Sequence, residues 1–233
     1  RLPRTGRADR DFPQLIASPD GGVAVVEVAA RIPGGQMADL VRHAVGVDLV
    51  EIALRQAQHL QTLISELFEL ARLDFEGYRI DAEPVQLGEL ARDVAQEFGL
   101  AARNRQVALD LDVEPELGLV CADIGLIERT LTNLLENALV HTPAGGRIVL
   151  SLRAQGEGVR LRVSDNGSGI AAADLPRIFQ RFYRADTART RDAKGSGLGL
   201  AIVKRIVELH GSEIRVDSIV DRGTTFWFDL PLA

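Results

Sequence analysis

Apolar residues recur at spacings of four and three from Leu49 onward, which is the repeat of one face of a helix. The repeat is formed by Leu49, Ala53, Gln56, Leu60, Leu63, Leu67 and Leu70, and it is widened by Ile64, Phe68 and Ala71. We therefore predict a helix over residues 48–76. It is either an amphipathic helix of its own domain or a dimerisation helix. The second is favoured because the preceding residues supply too little apolar surface to cover the stripe within one chain.

After Tyr78 the pattern changes to an alternation of helical and strand periods. The predicted helices cover residues 87–103, 124–140 and 198–210; the predicted strands cover 147–153, 159–164, 213–218 and 224–230, with another on the alternating Val107, Leu109, Leu111 and Val113. Because most strands follow one another as hairpins, this order predicts an α+β fold, a two-layer α/β sandwich with helices on one face of a sheet. Residues 1–36 are rich in proline and glycine, which predicts a linker or the remnant of an upstream module.

Composition narrows the class of protein. The chain has 233 residues, of which 46% are apolar and 26% charged, as in a soluble globular protein. It contains no apolar run of about 18 residues and no signal peptide, so we expect a cytosolic domain. The net charge of −6 argues against non-specific binding of nucleic acid. The single cysteine, Cys121, excludes an internal disulfide, and its apolar neighbours Leu119 and Val120 predict a buried, unreactive thiol.

Two asparagines indicate a cation site. Asn133 and Asn137 are four residues apart in the helix predicted over 124–140, so their side chains leave the same face. Amide oxygens are hard ligands, and such a pair beside phosphates suits a magnesium ion. The alternative for either residue is a hydrogen bond to the backbone of a neighbouring loop. An amide does not accept a proton at neutral pH, so Asn133 is a poor general base for activating water.

Asp165 ends a predicted strand and is followed by Gly167 and Gly169. A carboxylate at this place can accept a hydrogen bond from the exocyclic amine of adenine, and the glycines let the backbone pass close to the base. The same residues are also typical of an ordinary turn.

Gly195, Gly197 and Gly199 lead directly into the helix predicted over 198–210. Successive backbone amides at a helix N-terminus form an anion site that suits a triphosphate. The residues before these glycines are polar, which excludes a dinucleotide-binding turn because that turn needs an apolar strand immediately before it.

A third segment lies between the two glycine-marked ones. Phe179 and Phe182 are predicted to anchor a short helix in the core, while Arg181 and Arg184 are either solvated or in contact with phosphate. Residues 185–194 contain no large apolar side chain, so we predict a mobile lid there.

Four segments in this order, LTNLLENALVHTP, DNGSGI, IFQRFYR and GSGLGL, resemble the ATP-binding catalytic domain of sensor histidine kinases. That domain belongs to the ATPase superfamily that also contains gyrase and the Hsp90 chaperones (the GHKL or Bergerat type). The resemblance covers roughly residues 80–233. The string HLQTLISELFELARLD is similar to the second helix of the kinases' dimerisation domain. Three regions follow: 1–36, a helical dimerisation segment over 37–78, and a catalytic ATP-binding domain over 79–233.

The resemblance implies ATP and Mg²⁺ as cofactors. Asn137 would hold magnesium and Asn133 would lie beside the phosphates, where hydrolytic relatives carry a glutamate; this favours phosphate transfer over hydrolysis. His141 would stack on adenine, its alternative being a helix-end histidine favoured by the helix dipole. The kinases often carry a basic residue where this chain has Val140. The implied nucleotide-binding set is Asn133, Asn137, His141, Asp165, Gly167, Gly169, Ile170, Phe182, Arg184, Lys194, Gly195, Gly197, Leu198, Gly199, Leu200 and Thr225.

The phospho-accepting histidine of the kinases is not recognisable. Their acceptor is followed directly by an acidic residue, whereas here His43 is followed by alanine and His59 by leucine, so both are weak candidates. His210 is predicted to be a helix-end cation. Between Gly35 and Leu49 there are too few residues for a first hairpin helix and a turn.

The expected function is that of an ATP-dependent protein-histidine kinase. It would pass the γ-phosphate to a histidine that this sequence does not show and then to an aspartate of a cognate response regulator. The kinase would be a homodimer through residues 48–76 and the cytoplasmic domain of a membrane-anchored sensor, with no nucleic-acid partner. The alternatives are a nucleotide-binding regulatory dimer without an acceptor and a true ATPase of the same superfamily.

Overall fold

The computed structural model of the protein describes residues 34–184 and 196–233. The predicted linker up to residue 33, the predicted lid over 185–194, and Lys194 and Gly195 of the candidate site lie outside these ranges. Contacts divide the chain into two compact units, Arg1–Gln56 and Ala57–Ala233. Among the described residues, every strand and all the nucleotide-site candidates belong to the second unit.

The described elements follow the predicted order. The helices are α1 Gly34–Leu73, α2 Leu87–Asn104, α3 Ile124–His141 and α4 Gly199–Leu209; the strands are β1 Glu83–Val85, β2 Ala108–Val113, β3 Val120–Ala122, β4 Arg147–Gln155, β5 Gly158–Asp165, β6 Arg215–Ile219 and β7 Gly223–Pro231. Sequence periodicity missed β1 and β3, because three residues are too few to show an alternation.

Helix α1 is longer than predicted. It begins at Gly34 instead of residue 48, because no proline interrupts residues 36–48, and it ends at Leu73 instead of residue 76. The described part of the chain therefore has one continuous helix here and no hairpin. No helix among the described residues is long and apolar enough to cross a membrane.

The main sheet has five strands in the order β2-β4-β5-β7-β6. Strands β2 and β4 are parallel, joined through α3, and all other pairs in this sheet are antiparallel. Strands β1 and β3 form a separate antiparallel ribbon, in which Val85 is paired with Val120.

One face of the sheet forms the core with α2, α3 and part of α4. Its strands contribute Ile148, Leu150, Leu152, Val159, Leu161, Val163, Phe226, Phe228 and Leu230, all buried. The other face carries ion pairs, including Asp110 with Arg147 at 2.5 Å and Arg160 with Asp229 at 2.7 Å. One apolar and one polar sheet face, with helices on the apolar side, confirm the predicted two-layer sandwich.

The end of α1 packs against other elements within the second unit. Leu70 and Leu73 are buried together with Leu126 of α3 and with Leu198 and Ile202 at the beginning of α4. Beside them, Glu69 forms an ion pair with Arg129 at 3.0 Å. The apolar residues of α1 therefore fall into two groups. Those of its last turn are buried within the chain, whereas Leu60, Leu67 and Phe68 are exposed.

Two predictions about single residues are wrong. Cys121 is exposed, because β3 alternates and directs its neighbours Val120 and Ala122 inward. His210 is only 7% exposed and is not a helix-end cation. Its Nε2 accepts a hydrogen bond from the backbone N–H of Asp123 at 3.0 Å, and its Nδ1 lies 2.8 Å from the carbonyl of Ile206. This pairing is that of a neutral imidazole with its proton on Nδ1.

Candidate nucleotide-binding site

Helix α3 positions the asparagines and His141. Asp123 caps it, with the carboxylate accepting a hydrogen bond from the N–H of Leu126 at 3.1 Å. The helix ends at His141, because Thr142 is extended and precedes a proline. Along the helix, Asn133 is buried, Asn137 is half-buried and His141 is exposed, so the three side chains lead from the interior to the surface.

The Asn133 side chain is an unsatisfied polar group in the interior. It is 6% exposed, and its Nδ2 has no hydrogen-bond partner among the described residues. Its Oδ1 lies 3.6 Å from the position that a Cβ on Gly199 would take, so the amide borders the glycine loop. Leaving a buried donor unpaired costs roughly 1–3 kcal/mol. The arrangement suits an acceptor oxygen of a ligand at the start of α4.

Asp165 ends β5 on the side of the sheet that faces the helices. Its carboxylate accepts hydrogen bonds from the backbone N–H of Gly167, at 2.8 Å, and from that of Thr224. Burial raises the pKa of Asp165, and the two hydrogen bonds and nearby His141 oppose this rise. A carboxylate has more acceptor positions than these two donors use, so it can accept from one more donor.

The glycines around Asp165 are required by close approach of backbone to backbone. A Cβ on Gly167 would lie 2.3 Å from the carbonyl oxygen of His141, and one on Gly223 would lie 1.9 Å from that of Asp165. At Gly169, where φ is +66°, a Cβ would lie 2.1 Å from the carbonyl oxygen of Ile219. The sequence interpretation assigned Gly167 and Gly169 to approach of the base, whereas the contacts present are those that hold the loop's shape.

His141 lies close enough to Asp165 and Arg184 for their charges to affect its pKa. Although the side chain is exposed overall, partial burial lowers the pKa of His141; nearby Asp165 opposes this effect, and Arg184 adds to it. The C-terminus of α3, the end of β5 and the segment containing Arg184 thus meet at one place. A neutral ring at this position is suited to stack on a base.

The glycine loop is held by Phe182. The N–H of Phe182 donates to the carbonyl of Gly197 at 2.9 Å, and both residues have positive φ, +60° and +73°. Leu198 is buried and Gly199 begins α4, so the loop opens directly onto a helix N-terminus, where Leu200 is half-buried. Phe182 is 58% exposed, and the prediction that it anchors the core is therefore wrong. Phe179 does pack into the core, edge-on against Phe226 with 6.2 Å between ring centroids, but its segment forms turns instead of the predicted short helix.

Strand β7 divides its threonines between the two faces of the sheet. Thr225 lies on the face away from the helices, and its hydroxyl donates to Ser164 at 3.0 Å. Thr224 is buried on the helix side, where its N–H bonds Asp165. Sequence reasoning placed Thr225 in the site and missed the backbone of Thr224. Ile170 is half-buried, and its N–H donates to the hydroxyl of Ser218 at 2.8 Å.

The two candidate acceptor histidines both belong to α1. His59 is exposed on α1, and His43 lies on the same helix, in a stretch whose side chains are outside the described part.

Across the described ranges, no group of three or more His, Cys, Asp or Glu could hold a metal ion. The amide of Asn137 is the candidate magnesium ligand, and phosphate oxygens would complete its shell.

Comparison with known proteins identifies the family of this chain. The family model of the histidine kinase-, DNA gyrase B-, and HSP90-like ATPases matches residues 122–233, the stretch from just before α3 to the end of the chain. The solved structure of the mycobacterial sensor histidine kinase MprB is 32% identical with a TM-score of 0.55, and 97% of that chain is covered by 64% of this one. The chain belongs to the sensor histidine kinase family.

Further relatives extend the similarity toward α1. Sensor-like histidine kinase SenX3 of Mycolicibacterium smegmatis is 32% identical over 226 residues, which are 95% of this chain and 57% of SenX3. The structure of full-length ShkA in complex with AMPPNP is 32% identical with a TM-score of 0.69, over 78% of this chain and 38% of ShkA. This histidine kinase chain spans little more than half the length of SenX3. The family predicted from the four segments and the two-layer fold predicted from the order of helices and strands are both confirmed.

Proposed function

We propose that the chain binds Mg-ATP between α3, the 165–170 loop and the glycine loop, and supplies the γ-phosphate for transfer to a histidine and then to a response-regulator aspartate. The observation that carries this proposal is the buried Asn133 amide, unpartnered in the described structure and bordering Gly199 at the N-terminus of α4. A buried donor at a helix N-terminus is the chemistry expected around phosphate oxygens. The AMPPNP complex of ShkA supports the same ligand class.

Each wall of the site has a distinct role in this proposal. The Asp165 carboxylate accepts from the exocyclic amine of adenine, and the neutral His141 ring stacks on the base. Backbone N–H groups at 197–200, with Lys194 and Gly195 before them, bind the phosphates. Arg184, close to His141, adds positive charge at the mouth of the site.

Asn137 fits a magnesium ion because its amide oxygen is a hard donor on the same helix face as Asn133. When bound, magnesium neutralises charge that develops on the β- and γ-phosphate oxygens. The chain's own residues bind and orient the nucleotide. A histidine nitrogen then attacks the γ-phosphorus, the bond from that phosphorus to the bridging oxygen breaks, and ADP leaves with the bond's electron pair. Asn133 does not act as a base toward water, which favours this transfer over hydrolysis.

The acceptor remains His43, His59 or a histidine beyond this sequence. His210 is excluded among the described histidines, because it is buried and both ring nitrogens are in hydrogen bonds. Neither candidate is followed by an acidic residue. That observation favours a second function, a nucleotide-binding regulatory dimer without an acceptor of its own.

We also propose homodimerisation through residues 48–76 and a location as the cytoplasmic domain of a membrane-anchored sensor. The exposed apolar side chains of this segment support the dimer; they are Val50, Ile52, Leu54, Leu60, Ile64, Leu67, Phe68 and Phe75. A second copy of α1 would cover them as a helical bundle does. The net charge of −6 argues against a nucleic-acid partner.

The deciding experiment incubates the protein with γ-labelled ATP and magnesium and assays acid-labile, base-stable label on the chain. Label supports the kinase, and mapping it identifies the acceptor. Tight ATP binding without label, also after addition of a separate fragment carrying an acceptor histidine, supports the regulatory dimer. Asn137→Ala should abolish the magnesium dependence of ATP binding, and the exposed Asn104→Ala at the end of α2 is the matched control. Unchanged magnesium-dependent affinity in Asn137→Ala would overturn the site assignment.

A further inference from the structure

Asp74 is the first residue after α1, and two cations from different segments of the ATP-binding unit converge on it. Its carboxylate forms ion pairs with Arg181 and with Arg205, the latter at 3.3 Å. Arg205 also donates to the carbonyl of Leu73 at 3.1 Å. The C-terminal end of α1 is therefore held by charge as well as by apolar packing.

Both cations belong to chain segments that adjoin the glycine loop. Arg181 precedes Phe182, whose N–H donates to the carbonyl of Gly197. Arg205 belongs to α4, about two turns from the N-terminus that follows the loop. The carboxylate of Asp74 thus bridges the two chain segments that meet in the Phe182–Gly197 hydrogen bond.

Apolar packing links the same parts. Leu198 lies between the two described loop glycines, and its side chain is buried with Leu70 and Leu73 of α1. The residue that directs its side chain to α1 therefore has its backbone in the glycine loop. A shift of the end of α1 moves this backbone, because closely packed interiors transmit displacement.

The arrangement at Phe182 needs support from its surroundings. A phenylalanine at φ +60° is in a region that L-residues with bulky side chains rarely adopt, and such conformations persist only where neighbouring contacts hold them. The ion pair of Asp74 with the adjacent Arg181 is one of these contacts.

We propose that Asp74 is a positioning residue for the nucleotide site: through Arg181 and Arg205 it holds the Phe182–Gly197 pair in the geometry that binds phosphate. The inference rests on the proposed nucleotide site. Because coupling between two equilibria is reciprocal, nucleotide binding must in turn stabilise the docked end of α1 by the same factor.

The test is titration of the chain with Mg-AMPPNP by calorimetry. Asp74→Asn keeps the size of the side chain and removes its charge, and it is expected to bind about two- to fivefold more weakly, the range of partly exposed ion pairs. Arg181→Gln should lose a similar factor, and the double variant should lose no more than either single variant. Glu76→Gln, an exposed carboxylate two residues on, should bind like the wild type.

Hydrogen exchange supplies a readout that a merely structural role would not move. In the wild type, Mg-AMPPNP should slow exchange of the Asp74 amide, which donates to Leu70 at 2.9 Å. In Asp74→Asn this slowing should be lost, whereas exchange in β4 should be unchanged. Equal affinity of Asp74→Asn and wild type, or additive losses in the double variant, would overturn the inference alone. Failure of the wild type to bind nucleotide would overturn the proposed function and the inference together.

Discussion

The Asp165 carboxylate and the His141 imidazole lie close enough to favour each other's charged form, yet burial outweighs this attraction in both. The pKa of the aspartate is raised and that of the histidine is lowered, so the neutral state of each is favoured relative to water. The candidate nucleotide site thus contains two groups whose pKa shifts make the stability of the fold depend on pH in opposite directions.

His141 should make the stability of the fold depend on pH. Its pKa is lower in the folded chain than the ordinary value of about 6.5, so the unfolded chain binds more protons in that window. The wild type should therefore gain stability relative to His141→Gln as pH rises toward about 6.5, and gain no more above it. Asp165 acts in the opposite sense, losing stability as pH rises from about 3.9 through its raised pKa. Urea unfolding from pH 4 to 8 measures both effects; parallel curves for wild type and His141→Gln would contradict the first.

Asp165→Asn should weaken ATP binding by roughly 10- to 100-fold, the factor expected for losing a hydrogen bond to a charged group. The binding of GTP should change much less, because guanine carries a carbonyl oxygen where adenine has the amine that donates to the carboxylate. Calorimetric titration with both nucleotides measures this selectivity. Asp217→Asn, exposed on β6, is the control. Equal losses for the two nucleotides would mean that Asp165 holds the loop and does not read the base.

Gly167→Ala should destabilise the fold by about 2–4 kcal/mol, because its Cβ would lie 2.3 Å from a backbone oxygen that cannot move alone. Gly99→Ala is the matched control. It lies inside α2, where the nearest atom to a new Cβ is the flexible end of Arg103 at 3.6 Å, and it should stabilise the helix by about 0.5–1 kcal/mol. Chemical denaturation measures both, and a tolerated Gly167→Ala would contradict the close approach.

His210→Ala should cost about 1–3 kcal/mol, because the N–H of Asp123 would lose its acceptor at the beginning of α3. His59→Ala, on the exposed surface of α1, should stay within about 0.5 kcal/mol of the wild type. Thermal unfolding compares the two. If both variants melted alike, the buried pairing of His210 would carry no stability.

Leu67→Glu should shift the chain from dimer to monomer, because it places a charge in the apolar stripe of α1 that a second copy would cover. Thr62→Glu adds the same charge at an exposed position on the opposite face of the helix and should leave the dimer intact. Light scattering after size-exclusion chromatography gives the mass of each variant. A monomeric wild type would contradict the proposed dimer.

Residue periodicity was sufficient to locate the main helices and most strands of the second unit. The shared face of Asn133 and Asn137 follows from the helical repeat alone. The alternation of Thr224, Phe226 and Phe228 also contains the signal that Thr225 lies on the other sheet face, which the assignment of Thr225 to the site overlooked. The start of α1 was missed because residues 36–48 carry no strong repeat, although nothing in them stops a helix.

The sequence by itself determined the family, the two layers and the set of chemically able residues, because these depend on local period, residue type and motif order. Only the tertiary structure decided which of them meet. The approach of Asn133 to Gly199, the grouping of His141 with Asp165, and the convergence of Arg181 and Arg205 on Asp74 join residues far apart in the chain. Such contacts depend on how the helices and strands pack together, and no local pattern of residues encodes that packing.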